Sequence, residues 1–316
     1  LTAADVAAAR QARAIVRTWG PRGTLHLVAV DDLHWLLPLV GPLQTTHSLR
    51  RLAQEGVPGP AETAVAAVVR ALGGQGPLTK AELGERLAQG GTAARGQGIV
   101  HLVRLAACRG LAVLGPDRGR DPTYVHAEDW LGAPIRMAPD RDAALAELTR
   151  RYLRAHGPAE PADLAAWSGL SLRDAEAGWR ATPRGLTAVS HRGRTLWQGL
   201  WQDRAAAGGD VPASVTRLVP AFDEFLLGWR SRELSLPEPY RIRVHPGGGV
   251  LRPSLVDGGS IVATWSMRRT RRRVDISVVP FEPLRAGAEA ALHAEASDVG
   301  RFLALQARLS LNSARR

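Results

Sequence analysis

Three groups of residues in this chain have the types and spacing to do chemistry. His26 stands on an alternating stretch, Gly23-Thr24-Leu25-His26-Leu27-Val28-Ala29, just after Arg22. An imidazole there can orient a water molecule; the plainer reading is a satisfied, half-buried histidine. Arg22 and Thr24 suit contacts to phosphate or sugar, and Thr24 equally suits a turn cap. Asp223 and Glu224 precede Arg230 and Arg232. Paired carboxylates can move protons or stabilise a developing cation. The same four residues can also form a structural ion-pair network, which is the plainer reading. The densest charge run is Met267-Arg268-Arg269-Thr270-Arg271-Arg272-Arg273. Five arginines at a turn repel one another unless a polyanion meets them, and a basic hairpin tip fits a nucleic-acid groove. Gly247-Gly248-Gly249 lacks the surrounding pattern of a phosphate loop. No HExxH motif or comparable ligand spacing appears, so no metal and no cofactor are expected.

These residues need elements to position them. Residues 6–19 read as a helix behind a Thr2/Asp5 capping pattern, 23–29 as a strand, and 31–40 as a helix opened by Asp31. Residues 61–72 form a helix, and Thr79/Glu82 is a capping box for a short helix to residue 88. A longer helix covers 94–109, with Arg95, His101, Arg104 and Arg109 off its apolar face. Residues 111–114 and 123–126 make a two-stranded wing. Helix, helix-turn-helix and wing is the winged-helix order, with 94–109 in the recognition position. The pattern repeats with helices at 140–156, 161–168 and 172–180 and a hairpin over 186–198. Arg173, Arg180 and Arg184 flank the equivalent recognition position. Residues 203–214 are a linker by composition. Beyond them strands are expected at 240–244, 250–256, 260–265 and 274–279, with a closing helix over 286–305.

Length and composition bound the answer. A chain of 316 residues with 45% hydrophobic residues can bury real cores, in roughly two to three small domains. The formal net charge is +11, which favours a polyanionic partner. Lys80 is the single lysine, so arginine carries that charge. Cys108 is the single cysteine, in an apolar helical run; it excludes an internal disulfide and reads as core. No apolar run approaches the ~20 residues of a membrane span, and no signal peptide is visible. A cytoplasmic protein associated with the nucleoid is expected. The chain opens on Leu1, as a trimmed chain does.

Two motifs carry a family resemblance. One is Arg22-Gly23-Thr24-Leu25-His26-Leu27-Val28. The other is Pro220-Ala221-Phe222-Asp223-Glu224-Phe225-Leu226-Leu227-Gly228-Trp229-Arg230-Ser231-Arg232, with Pro246-Gly247-Gly248-Gly249-Val250-Leu251-Arg252-Pro253 downstream. Together they resemble the bacterial winged-helix DNA glycosylases of the AlkZ/YcaQ type. The resemblance implies an α+β fold of tandem winged-helix modules around a basic DNA channel, with a β-rich C-terminal part. Its divisions here are a partial first module over 1–58, a second over 59–138, a third over 139–202, and the β-rich region over 215–316. It implies hydrolysis of the N-glycosidic bond of bulky or cationic N-alkylpurines and the unhooking of interstrand crosslinks. The implied partner is double-stranded DNA carrying an alkylated purine, bound by a monomer. It also implies a catalytic Gln-X-Gln pair upstream of residues 22–28. No Gln-X-Gln occurs in these 316 residues, and Gln44, Gln54, Gln97 and Gln198 do not stand in a matching context. His26 and Asp223 then remain as catalytic candidates. Arg22, Thr24, Arg95, Arg104, Arg230, Arg268, Arg269, Arg271, Arg272 and Arg273 are candidates for DNA binding. The alternative reading is a non-catalytic winged-helix DNA-binding protein or regulator.

Overall fold

The computed structural model describes residues 1–57, 59–137, 140–182, 185–191, 193–199 and 215–312. The expected linker at 203–214 and Arg184 lie outside the described residues. The chain divides into two units, Ala7–Gly185 and Leu1–Val6 with Leu186–Arg316.

Helix α1 (Ala3–Gln11), whose last residues open the unit over residues 7–185, stops where Arg13 takes a positive φ of 62°. Ile15–Trp19 is strand β1, paired antiparallel with β2 (Leu25–Ala29). The helix expected over 6–19 therefore gives way to a strand in its second part. That part, Ile-Val-Arg-Thr-Trp, is rich in β-branched and aromatic side chains that pack better on a pleated surface. The expected helix at 31–40 is instead α2, Leu33–Gln54, running through Pro38 and Pro42. A proline inside a helix costs about 3 kcal/mol. Burial of Leu37, Leu39, Val40 and Leu52, at ~1.5–3 kcal/mol each, offsets it. Gly41 is where α2 meets the next helices most closely: a Cβ there would lie 2.6 Å from the Cys108 carbonyl.

Helix α3 (Ala61–Leu72) leads to the short strand β3 (Leu78–Thr79) and to α4 (Lys80–Gln89), whose Thr79/Glu82 capping box forms as expected. Helix α5 (Gln97–Ala107) is followed by β4 (Ala112–Leu114), β5 (Thr123–His126) and the short α6 (Ala127–Leu131). The wing is not two-stranded. It belongs to a five-stranded sheet in the order β2-β1-β4-β5-β3. Helix α5 packs on both α2 and α3, so the face expected to be polar is largely covered: His101 is 7% exposed and Arg104 is half-buried. One core runs from Trp19 and Leu52 through Val68, Leu83, Leu102 and Leu114. Helices α7 (Arg141–His156), α8 (Pro161–Ser168) and α9 (Leu172–Ala181) follow, with α7 against α9 and Tyr152 stacked on His156.

The other unit contains the hairpin of β6 (Leu186–His191) and β7 (Arg194–Gly199). It also holds β8 (Thr216–Val219) and the four-residue helices α10 (Glu224–Leu227) and α11 (Arg241–Val244). The strand expected at 240–244 is thus a helical turn that follows Pro237 and Pro239; Ile242 at its centre is 66% exposed, so no second sheet face holds it. Strands β9 (Ser254–Asp257), β10 (Ser260–Arg269) and β11 (Arg273–Pro280), helix α12 (Ala288–Leu303) and β12 (Gln306–Leu311) complete the unit. The sheet order is β12-β11-β10-β9-β8, with β12 parallel to β11. Alternate residues Val274, Ile276 and Val278 face a core with Leu255, Ala263, Leu292 and Ala296.

Candidate nucleic-acid interface

The β1–β2 hairpin closes through a single helical turn over Pro21–Gly23, in which Arg22 and Gly23 have φ of 57° and 70°. Positive φ is costly for the arginine and free for the glycine. Gly23 is required for a second reason: a Cβ there would fall onto Gln44 Oε1 of α2. Arg104 of α5 holds the other side of the turn, donating from Nη2 to the Gly23 carbonyl at 3.0 Å while its guanidinium lies 5.7 Å from the Trp19 ring centroid. Burial pulls the Arg104 pKa below its ordinary value. Arg22 donates to the Trp167 carbonyl at the end of α8. Two of the expected DNA-binding arginines are therefore engaged within the protein, fastening this turn to α5 and α8.

The turn aims Thr24 and His26. Thr24 Oγ1 donates to the Pro21 carbonyl at 3.1 Å, and His26 Nε2 lies 2.8 Å from Thr24 Oγ1. With the hydroxyl proton on Pro21, Nε2–H donates to the hydroxyl. Thr24 is exposed and His26 half-buried. Arg95 is exposed just before α5, in an open groove of about 430 Å³ shared with Lys80, Glu85 and Gly84.

Asp223 sits in the other unit. Its carboxylate caps α10, accepting from the Phe225 amide at 2.8 Å. Arg232 Nε donates to the Leu226 carbonyl at 2.7 Å, and burial lowers its pKa. Arg230 is exposed. The arginine run forms the tip between β10 and β11, where Arg269 pairs with Val274 and Arg268 with Asp275, and all five arginines are exposed. Asp275 holds Arg268 at 3.5 Å and Arg273 at 3.1 Å. Arg269, Arg271 and Arg272 have no carboxylate partner among the described residues.

So Arg22, Thr24, His26 and Arg104 gather around one turn, while Asp223, Arg230 and the arginine run belong to the other unit. Sequence reasoning missed what lies along α2 beyond Val40. Gly41-Pro42 reads as a helix end, which hides the helical spacing of Gln44, His47 and Arg51.

The model of one protein family, DNA glycosylase AlkZ-like, matches residues 1–302. The chain belongs to the AlkZ-like DNA glycosylase family. It is similar to the interstrand DNA cross-link repair glycosylase of Streptomyces sahachiroi, 27% identical over 304 residues, which span 91% of this chain and 80% of that one. Its fold is similar to the solved structure of Streptomyces sahachiroi DNA glycosylase AlkZ, with a TM-score of 0.78 and 24% identity over 98% of this chain and 84% of the other. The α+β class agrees with that likeness, and membership makes DNA the macromolecule on which the chain acts. No described helix is long and apolar enough to cross a membrane.

Proposed function

We propose that this protein hydrolyses the N-glycosidic bond of bulky or cationic N-alkylpurines in duplex DNA, acting as a monomer. Interstrand crosslinks joined through such a purine are then unhooked by the same reaction, as the name of the Streptomyces sahachiroi relative suggests. The observation that carries the reading is the family match over residues 1–302. A purine alkylated at a ring nitrogen bears positive charge and leaves as a neutral base. The protein then needs a positioned water and stabilisation of the sugar cation more than a strong acid. In this reading Thr24 and His26 orient water or sugar at the β1–β2 turn; Asp223, in the other unit, is a separate candidate for supplying negative charge. Arg95, Arg230 and the β10–β11 tip hold the backbone of the duplex. The modular division at 1–58, 59–138, 139–202 and 215–316 is part of the proposal. It is supported by the repeated order of three helices and a strand pair.

A second reading, a DNA-binding protein without catalysis, draws on one observation. The His26 imidazole and the Asp223 carboxylate each already make local hydrogen bonds, to Thr24 and to the Phe225 amide. The experiment is release of free base from an N7-alkylguanine duplex in single turnover. Release by the wild type that falls at least tenfold in His26→Gln or Asp223→Asn supports the first reading with those roles. Release unaffected by either change removes both residues from the reaction. Tight duplex binding with no release supports the second reading.

A further inference from the structure

The outer face of α2 carries positive charge with no carboxylate paired to it among the described residues. Some arginines in residues 7–185 meet carboxylates: Arg10 and Arg17 on Asp117, Arg109 on Glu62, Arg118 on Glu82, and Arg151 on both Asp32 and Glu147. Arg50 and Arg51 are exposed, and among the described residues neither has a carboxylate partner. Arg51 donates to Gln54 at 2.9 Å. Arg50 donates to His47 Nδ1 at 3.5 Å, an arrangement open only to a neutral imidazole. Below His47 lies buried His101, their rings 5.8 Å apart, and beside them is the half-buried Arg104 that grips the β1–β2 turn.

The spacing turns these groups into a track. Gln44, His47 and Arg51 follow one another at three and four residues, so they share a helix face. Gln44 is itself buried, lying against Gly23 in the turn that presents Thr24 and His26, and the exposed part of the row begins at His47. Seven residues of helix advance about 10 Å, so the face leads from that turn past His47 to Arg50 and Arg51.

We infer that this face of α2 is a contact surface for the DNA phosphate backbone, with His47 taking up a proton from solvent as a phosphate settles between it and Arg50. The inference rests on DNA being the substrate, and it adds a surface separate from the β10–β11 tip. Its electrostatics are one-sided. Burial first, then Arg104, Arg50 and Arg51 push the His47 pKa below 6.5. His101 is lowered by burial, Arg104, His47 and Arg51, and only Glu55 opposes this. These are the charged and titratable groups facing the pair from α2 and α5. At the far end of α2, the Arg151 of α7 is already bound to Asp32. A phosphate reverses the local field. It accepts from Arg50 and from the protonated ring together, so the bound His47 pKa rises above the free one. Affinity therefore increases as pH falls through the window between the free value, below 6.5, and the higher bound value. The gain approaches tenfold per pH unit for one proton, and it levels off below the free value.

The test is anisotropy of an undamaged labelled duplex, titrated against salt and against pH. Circular dichroism confirms that each variant is folded. Arg50→Ala with Arg51→Ala should reduce the salt slope by about two, near 0.9 for each phosphate neutralised. His47→Gln should abolish the pH-dependent gain. Arg271→Ala at the β10–β11 tip should reduce the salt slope and leave the pH-dependent gain intact. If the wild type binds duplex and the α2 variants match it in both slopes, the α2 surface is refuted while DNA binding stands. If the wild type does not bind duplex at all, both this surface and the DNA reading fall.

Discussion

Gly23 is constrained twice over, by its backbone angle and by the amide of Gln44, and these two costs can be separated. Gly23→Ala should destabilise the unit by about 1–3 kcal/mol from positive φ alone, plus the displacement of Gln44. Adding Gln44→Ala should return only the second part. Chemical denaturation of both single variants and the double variant measures the coupling, and strict additivity would show that the amide does not oppose a side chain there. Arg104→Met should loosen the same turn. Its guanidinium leaves the Gly23 carbonyl, so a hydrogen bond to a charged group, about 1.5–3 kcal/mol, is removed. Much of this site was legible one residue at a time. An alternating strand does place His26 half-buried, and Thr24 does cap its own turn. The carboxylates were harder. Asp223 beside two arginines suggests ion pairs, yet the nearest donor to a carboxylate that precedes a helix is the backbone amide two or three residues on. The roles of Arg22 and Arg104 were not legible, because their acceptors are backbone carbonyls whose positions depend on the packing of α5 and α8.

At the scale of elements, the tip between β10 and β11 divides its arginines into two kinds. Asp275 restrains Arg268 and Arg273; Arg269, Arg271 and Arg272 project without such a tether. Replacing the latter three with alanine should lower the salt slope of duplex binding by roughly 0.9 for every phosphate left without its arginine. Replacing Arg268 and Arg273 should weaken binding less, since their charge is already half-compensated. An equal weakening from the two sets, measured in the same buffer series, would contradict this division. Sequence signals located α3, α4, α7, α8 and α9: α4, α7 and α9 open on side-chain caps, α3 has an apolar face that ends at Gly73-Gly74, and α8 lies between Pro161 and Gly169. They located the β6–β7 hairpin and the arginine tip for similar reasons. They failed for β1, which continues an alanine-rich helix without a Gly or Pro to mark the change. They failed again for α2, whose prolines announce an end that buried leucines override. Strands β8 and β12 are short and their partners are distant; β12 joins β11 only after the whole of α12 has intervened, and no local pattern announces that.

For the molecule as a whole, acid should weaken the unit built around the β12-β11-β10-β9-β8 sheet. Asp257 is 9% exposed, accepts two bonds from Arg285 at 2.5 and 2.7 Å, and accepts one from Thr216 at 2.6 Å. Burial alone would raise its pKa. Arg285 and Thr216 outweigh burial and hold it below 3.8. A depressed carboxylate stabilises the fold above its unfolded value and loses that contribution as pH falls through the folded one. Unfolding followed by tryptophan fluorescence should therefore gain a transition below about pH 4, and Arg285→Met should move it to higher pH. An unmoved midpoint would assign acid lability elsewhere. A different vulnerability follows from the outermost strand of the other sheet. Among the described residues β2 has an unpaired edge, and Leu25 and Leu27 are 45% and 52% exposed upon it, without the lysine or proline that usually blunts such an edge. Mutual repulsion at a net charge of +11 opposes the joining of two copies there. That barrier is ionic. Its range shrinks from about 10 Å at 0.1 M salt to about 3 Å at 1 M. Light scattering should thus reveal self-association that grows with salt and is suppressed by Leu27→Lys, so storage in concentrated salt would favour clumping in a protein that low salt keeps dispersed.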